Sequence, residues 1–130
     1  NHPVYYGGPV LTNVVGVLHS TDFILTSTNT LTEDKVGFTL DRKMLEVIAR
    51  GQGPKNMLIT LGMANWSTGQ LEEELEHPRN PAMSWLIMDY DEKFVFGQLD
   101  EDKPDDLWEN CVNQAIRNKT QEITSKIFED

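Results

Sequence analysis

Short apolar blocks separated by turn-forming residues dominate the first half of the chain. Blocks rich in β-branched and aromatic residues indicate strands, because such side chains pack well on a pleated, half-buried surface. They predict strands at 4–6, 14–20, 22–26, 36–40 and 56–61. The segment 27–35 is polar and rich in threonine, which predicts a loop.

Three other segments have the residue spacing of amphipathic helices. The first follows Asp41, a residue type that caps helix N-termini. The second, from about Thr68 to His77, begins with Ser67 and Gln70 in the order of a capping box. The third is opened by Pro104. Its apolar stripe consists of Leu107, Trp108, Cys111, Val112, Ala115, Ile116 and Ile123.

Two further strands, at 83–89 and 94–98, are predicted to form a hairpin around Tyr90-Asp91-Glu92-Lys93. About six strands and three helices predict an α/β fold, with a mixed, largely antiparallel sheet and helices packed against it. Hydrophobic residues make up 38% of the chain and charged residues 25%, which is a globular balance. No linker or internal repeat divides the 130 residues, so one domain is expected.

Acidic residues are concentrated in one part of the chain. The formal net charge is −10, from 21 acidic and 11 basic residues. Residues 71–110 carry thirteen acids and three bases, whereas the remainder of the chain is balanced. Sequence-independent DNA binding depends on Lys and Arg side chains that neutralise phosphates. The charge distribution therefore disfavours direct contact with nucleic acid and favours a solvated surface that influences association with other molecules.

Cysteine content and hydropathy bear on the compartment. Cys111 is the single cysteine, so no internal disulfide can form, which fits a reducing environment. The longest wholly apolar runs, such as Val14 to Leu18, are far too short to span a bilayer. These two features predict a cytoplasmic protein without a membrane segment.

A series of short motifs resembles a known family. In order, the chain contains Tyr6-Gly7-Gly8-Pro9-Val10, Val17-Leu18-His19, Gly53-Pro54, Leu61-Gly62-x-Ala64-x-Trp66, Gly69-Gln70-Leu71-Glu72-x-Glu74, Trp85-Leu86 and Phe94-Val95-Phe96. By this order and spacing the sequence resembles the YqgE/AlgH family over about residues 5–112. Met63 and Asn65 stand where the family usually has Tyr and Gly.

The resemblance implies a bacterial, cytosolic protein of a family described as transcriptional regulators, for which no biochemical activity is established. Family members begin with a sizeable α/β segment before the Gly-Gly-Pro turn. The resemblance therefore predicts a single family domain, 1–130, without the usual N-terminal part. Strands that pair with that part are then exposed or paired with another copy, which makes a homo-oligomer an open alternative.

Glycine turns and polar groups at element ends are where binding groups tend to lie. On that basis we expect a ligand-binding site, if there is one, among Gly7, Gly8, His19, Trp66, Gln70 and Glu72. Each residue also has a structural explanation: glycines in tight turns, a hydrogen-bonded histidine, and a tryptophan in the core. No set of residues composes a catalytic site or a metal site, and no cofactor is expected.

Two classes of function follow. The leading hypothesis is a non-catalytic regulator that acts through contacts with a protein partner rather than through direct DNA binding. The alternative is a small-molecule-binding protein, or an enzyme of unknown type, that uses the glycine turns. A pocket at those turns with His19 facing into it would favour the alternative.

Overall fold

The computed structural model describes residues 2–79, 85–97 and 104–127, with the side chains of 104–106 left aside. Contacts within the chain divide it into two compact units, Asn1–Asn65 and Trp66–Asp130. The prediction that the whole chain is one domain stays a prediction.

The first unit is a five-stranded sheet with one helix. Its elements are β1 (Val4–Tyr6), β2 (Val10–Ser20), β3 (Asn29–Leu31), β4 (Val36–Thr39), α1 (Arg42–Ala49) and β5 (Met57–Met63). The strand order is β1-β5-β2-β4-β3. The pair β1–β5 is parallel and the other three pairs are antiparallel. This arrangement confirms the predicted mixed, largely antiparallel sheet.

Strand β5 lies between two strands that are consecutive along the chain. Tyr6 at the end of β1 pairs with Leu61, and Val10 at the start of β2 pairs with Met63 on the other side of β5. The connection between β1 and β2 therefore crosses the C-terminal end of β5. The Gly7 N–H donates to the carbonyl of Leu61 at 2.8 Å as the chain passes.

The crossing brings two main chains into direct contact. A Cβ atom added to Gly8 would lie 2.6 Å from the nitrogen of Ala64, and one added to Gly62 would overlap the carbonyl oxygen of Gly8. Gly62 also has φ of +80°, a left-handed conformation that L side chains rarely adopt. Glycine is required at both positions because a side chain at either would separate the strands.

Helix α1 covers one face of the sheet. Asp41 caps it, as predicted, by accepting from the N–H of Lys43 at 3.0 Å. That hydrogen bond, together with one from the Ser27 hydroxyl, lowers the pKa of the Asp41 carboxyl. The helix buries Met44 and Ile48. They pack with Val17 of β2, and Phe23, Leu25, Leu45 and Met57 surround this core.

The second unit contains the remaining three described helices. They are α2 (Gln70–Glu76), α3 (Glu92–Phe96) and α4 (Pro104–Ile127). The start of α4 at Pro104 was predicted, whereas α2 is shorter at both ends than the predicted 68–77. The predicted apolar stripe of α4 is only partly buried. Ala115 is buried, but Trp108, Ile116 and Ile123 are 67%, 56% and 51% exposed. No helix of the described residues is long and apolar enough to cross a membrane.

Two predictions in the first unit are wrong. Residues 22–26 form turns rather than a strand. The Ser20 hydroxyl donates to the Asp22 carboxylate, and the Asp22 carboxylate also accepts from the Lys55 N–H. These bonds turn the chain directly after β2. The loop predicted at 27–35 contains β3, which pairs with β4 although all three of its residues are exposed and two of them, Asn29 and Thr30, are polar.

The predicted hairpin of 83–89 and 94–98 is wrong for the described residues. Residues 85–90 have no regular secondary structure, and Phe94, Val95 and Phe96 belong to α3. Asp91 accepts from the N–H of Lys93 at 2.9 Å and so caps helix α3, where a hairpin turn was predicted. Residues 83, 84 and 98 lie outside the described residues.

Replacement of Gly62 by Ala tests the crossing. We expect Gly62→Ala to lower the free energy of unfolding by roughly 3 kcal/mol or more, because a left-handed residue costs about 1–2 kcal/mol and overpacking about 1–3 kcal/mol. Gly51→Ala is the matched control, since Gly51 has φ of +76° and no heavy atom within 4 Å of an added Cβ. Urea unfolding followed by circular dichroism measures both. Equal losses in the two variants would contradict the role given to the close contact.

Candidate functional site

The predicted site residues of the first unit lie at opposite ends of the sheet. Gly7 and Gly8 cross the end of β5 next to Gly62, whereas His19 of β2 pairs with Met57 at the start of β5. Met63 is six positions along β5 from Met57, which corresponds to about 20 Å at ~3.3 Å per residue. The structure therefore does not bring His19 to the two glycines.

His19 is fully buried, and both ring nitrogens are engaged. Nδ1 lies 2.8 Å from the carbonyl oxygen of Ser20, and Nε2 lies 2.8 Å from Oγ1 of Thr39. The ring also lies against Gly37 on the neighbouring strand, where an added Cβ would be 2.6 Å from Cε1. These contacts match the structural explanation weighed for this histidine.

The hydrogen bonds of His19 continue through two threonines. Because a carbonyl oxygen only accepts, Nδ1 carries a proton, and in the neutral ring Nε2 then accepts from the Thr39 hydroxyl. Thr39 Oγ1 lies 2.8 Å from Thr28 Oγ1, which itself accepts from the Leu25 N–H at 2.9 Å. One directed chain of bonds thus satisfies the buried polar groups between β2, β4 and the turn before β3.

The turn after β2 carries a charged group, the carboxylate of Asp22. The hydrogen bond from Ser20 lowers the pKa of Asp22, and the bond from the Lys55 N–H acts in the same direction. The Ser20 hydroxyl oxygen also accepts from the Asn56 N–H at 3.0 Å. These bonds join the turn after β2 to the segment that precedes β5.

The other predicted residues lie in the second unit. Gln70 Oε1 accepts from the N–H of Ser67 at 3.0 Å, so the half of the capping box supplied by Gln70 is formed. The Ser67 hydroxyl donates to that same oxygen instead of capping the helix. The residue before α2 is Gly69, in a left-handed conformation, and the helix begins at Gln70.

Trp66 belongs to a compact group of three side chains. Glu74 Oε2 accepts from Nε1 of Trp66 at 3.2 Å and from Nε1 of Trp85 at 3.0 Å. The two indoles meet edge to face, with ring centroids 5.8 Å apart and an angle of 67° between the planes. We call Trp66, Glu74 and Trp85 the indole–carboxylate cluster.

The cluster lies at the surface. Trp66 is 36% exposed and Trp85 is 52% exposed, so Trp66 is not the core anchor that was considered for it. Glu72 is exposed, and no hydrogen bond or ion pair to another described residue is recorded for it. Of the six predicted residues, Trp66 and Gln70 therefore lie together at the start of α2, and Glu72 lies apart from them.

Sequence reasoning did not select Glu74 or Trp85 as site residues. One signal for Glu74 was available: it is four residues after Gln70 and eight after Trp66, and residues four apart share a face of a helix. Glu72 is two residues from Gln70 and faces elsewhere. No local pattern pointed to Trp85, because it reaches the cluster from a separate segment.

A groove of about 690 Å³ runs between residues 85–89 and α4. Its apolar wall includes Leu86, Met88 and Ile116. Asn118 Oδ1 accepts from Gln114 at 2.9 Å, whereas the buried Nδ2 of Asn118 has no hydrogen-bond partner among the described residues. Among the described residues, no group of three His, Cys, Asp or Glu side chains is placed to hold a metal ion.

Comparison with known proteins identifies the relatives of this chain. The profile of the AlgH-like family matches residues 1–119. The chain belongs to the AlgH-like family. The AlgH-like chain is similar to a UPF0301 protein of Bradyrhizobium, with 41% identity over 102 residues, and to one of Ralstonia nicotianae, with 41% identity over 101 residues. Each match covers 78% of this chain, and 45% and 50% of the respective relative.

A solved structure supports the fold. The solution structure of the AlgH protein from Pseudomonas aeruginosa matches with a TM-score of 0.61 and 35% identity. The match covers 77% of the AlgH-like chain and 49% of that protein. The AlgH-like chain thus spans about half the length of the curated relatives it matches.

Replacement of Thr39 by Val tests the buried polar network. Valine keeps the shape of threonine but leaves His19 Nε2 and the Thr28 hydroxyl without their shared partner. An unsatisfied buried polar group costs about 1–3 kcal/mol, so we expect Thr39→Val to lower the free energy of unfolding by that amount. Thr30→Val is the control, because Thr30 bonds to Asp34 at an exposed position. A loss at Thr30 as large as that at Thr39 would refute the assignment.

Proposed function

We propose that this AlgH-like chain is a cytoplasmic regulatory protein that acts through contacts with a protein partner, made by its second unit. One observation carries the proposal. Trp85, Leu86 and Ile87 are consecutive and are 52%, 53% and 71% exposed. Single exposed apolar residues are ordinary, but contiguous exposed apolar surface marks interaction sites.

The main chain of the same segment supports a partner contact. Among the described residues, no hydrogen bond between main-chain groups involves residues 85–90. Main-chain groups in native proteins need partners, and a segment outside regular secondary structure can gain them by pairing with a strand of another protein. Exposed apolar side chains on such a segment add the apolar area from which stable complexes gain free energy.

Charge supports a protein rather than DNA as the partner. Residues 71–110, which include α2, the exposed apolar segment and α3, carry thirteen acids and three bases. An acidic surface repels phosphates and attracts basic protein surfaces. Regulation of transcription by this chain would then require a protein that itself contacts DNA.

The small-molecule alternative receives no comparable support at the glycine turn. The space beside Gly8 is filled by the main chain of Met63 and Ala64, and His19 lies at the other end of β5. A ligand at this turn would have to separate β1 and β2 from β5. The glycines are better explained by the crossing of two main chains.

Photo-crosslinking tests the proposed partner surface. A photoreactive benzoylphenylalanine at Ile87, which is 71% exposed, is expected to give discrete protein adducts in the native host. The same group at Ile24 in the first unit, which is 55% exposed, is the control. Identical adducts at both positions, or none at Ile87, would contradict the proposal. Loss of the Ile87 adducts on Trp85→Ser would tie them to this surface.

Direct DNA binding is tested separately by fluorescence anisotropy in low-salt buffer. Low salt maximises contacts to phosphates, so a labelled mixed-sequence duplex should bind there if it binds at all. We expect no rise in anisotropy with this chain. Saturable binding that weakens as salt is added would show that the chain contacts DNA itself, and the proposed route through a protein partner would fall.

A further inference from the structure

No cation among the described residues pairs with the Glu74 carboxylate of the indole–carboxylate cluster. Both donors to Glu74 Oε2 are indole N–H groups, which are neutral, so they bind the carboxylate without cancelling its charge. Among the described residues, ion pairs occur only within α4, between Glu122 and Lys119 or Lys126. Glu74 is therefore held by two donors but is not paired with a cation there.

Two indole rings lie beside the Glu74 carboxylate. The indole planes of Trp66 and Trp85 meet at 67°, so they form two walls of a corner at which the carboxylate is fixed. Tryptophan is the aromatic side chain whose ring face attracts cations most strongly. With 36% and 52% of their surfaces exposed, both rings are accessible to another molecule.

We propose that the indole–carboxylate cluster is a recognition site for an arginine side chain of the partner. The inference rests on the proposed function and names the chemistry of the partner. A guanidinium is planar, so it can stack on an indole face while its N–H groups donate to Glu74. The surrounding acids Glu72, Glu73 and Glu76 are all exposed and attract a basic segment to the same surface.

The combination of two indole faces with the Glu74 carboxylate favours arginine over other cations. A lysine ammonium pairs with a carboxylate as a compact point charge but does not stack. An apolar peptide would pack on the rings but would leave the charge of Glu74 without a partner. A guanidinium combines planar stacking on a ring face with several N–H donors for the carboxylate, whereas an ammonium over an indole offers only its point charge.

The structural role of the cluster must be separated from recognition. Glu74 joins α2 to Trp85, and this requires only an oxygen that accepts hydrogen bonds. In Glu74→Gln the amide oxygen keeps that acceptor and the side-chain length, but the charge is lost. Glu72→Gln removes the same charge from a neighbouring position that does not face the indoles.

Nuclear magnetic resonance of the full chain gives the readout. The chain has three tryptophans, so its indole N–H groups give separate signals for Trp66, Trp85 and Trp108. The probe is a blocked glycine-serine peptide with one central arginine, compared with otherwise identical peptides containing lysine or citrulline. The Trp108 signal is the internal control, since Trp108 lies outside the cluster.

We expect the arginine peptide to shift the Trp66 and Trp85 signals and to leave that of Trp108 in place. Glu74→Gln should weaken binding about tenfold, because a charge-assisted hydrogen bond is replaced by a neutral one. Glu72→Gln should change it less than about twofold, as expected for an exposed charge that makes no direct contact. Near-ultraviolet circular dichroism should show that the indole pair is intact in both variants.

Several results would overturn the inference. They are the absence of any shift, equal shifts at Trp108, equal weakening in the two glutamate variants, and binding of the lysine or citrulline peptide as tight as that of arginine. The proposed function has an independent test in the adducts at Ile87. Adducts at Ile87 without arginine binding would support the partner surface and reject only the arginine site. Arginine binding without adducts would reject the proposed function.

Discussion

The sheet of the first unit depends on the close contact between the main chains at Gly8 and Gly62. Strand β5 can lie between β1 and β2 only if the connection from Tyr6 to Val10 passes directly over its end. Any side chain at the crossing would occupy the position of a main-chain atom of the other segment. The parallel pairing of β1 and the antiparallel pairing of β2 with the same strand follow from this one contact. The glycine motif is thus explained by chain topology, without a ligand.

The core that rests on this sheet is not wholly apolar. Val17 and His19 are two residues apart on β2 and therefore share the face that α1 covers. A histidine is tolerated there because Thr39 and Ser20 satisfy its ring nitrogens and Gly37 leaves room for the ring. The bonds also connect β2 with β4 independently of the strand ladder. Burial of this polar group therefore adds specificity to the packing, since only one arrangement satisfies all its partners.

Elements with local signals were predictable, and those decided by distant contacts were not. Helix α1 was correctly predicted from Asp41 and the apolar spacing that follows it, because a cap acts within one turn. Asp91 is also a capping residue, but the β-rich residues 94–96 led to the prediction of a strand. The structure has a helix there, which Asp91 caps. Strand β3 gave no signal, since it has only three residues, of which Asn29 and Thr30 are polar, and it forms by pairing with β4. At the site, Trp66 and Gln70 were selected from a local motif, whereas Trp85 joins them from eleven residues beyond Glu74.

The attachment of helix α2 does not by itself explain the charge in the indole–carboxylate cluster. It has only seven residues and none of them is fully buried, so its stability depends in part on the side-chain hydrogen bonds it makes. Its recorded side-chain contacts are polar and lie at the surface: Gln70 at its start, and Glu74 between two indoles. An uncharged acceptor at position 74 could still accept from both indoles, through weaker hydrogen bonds. The charge that Glu74 adds is thus in excess of what this attachment requires, and beside two exposed aromatic rings it gives the surface a preference for cations.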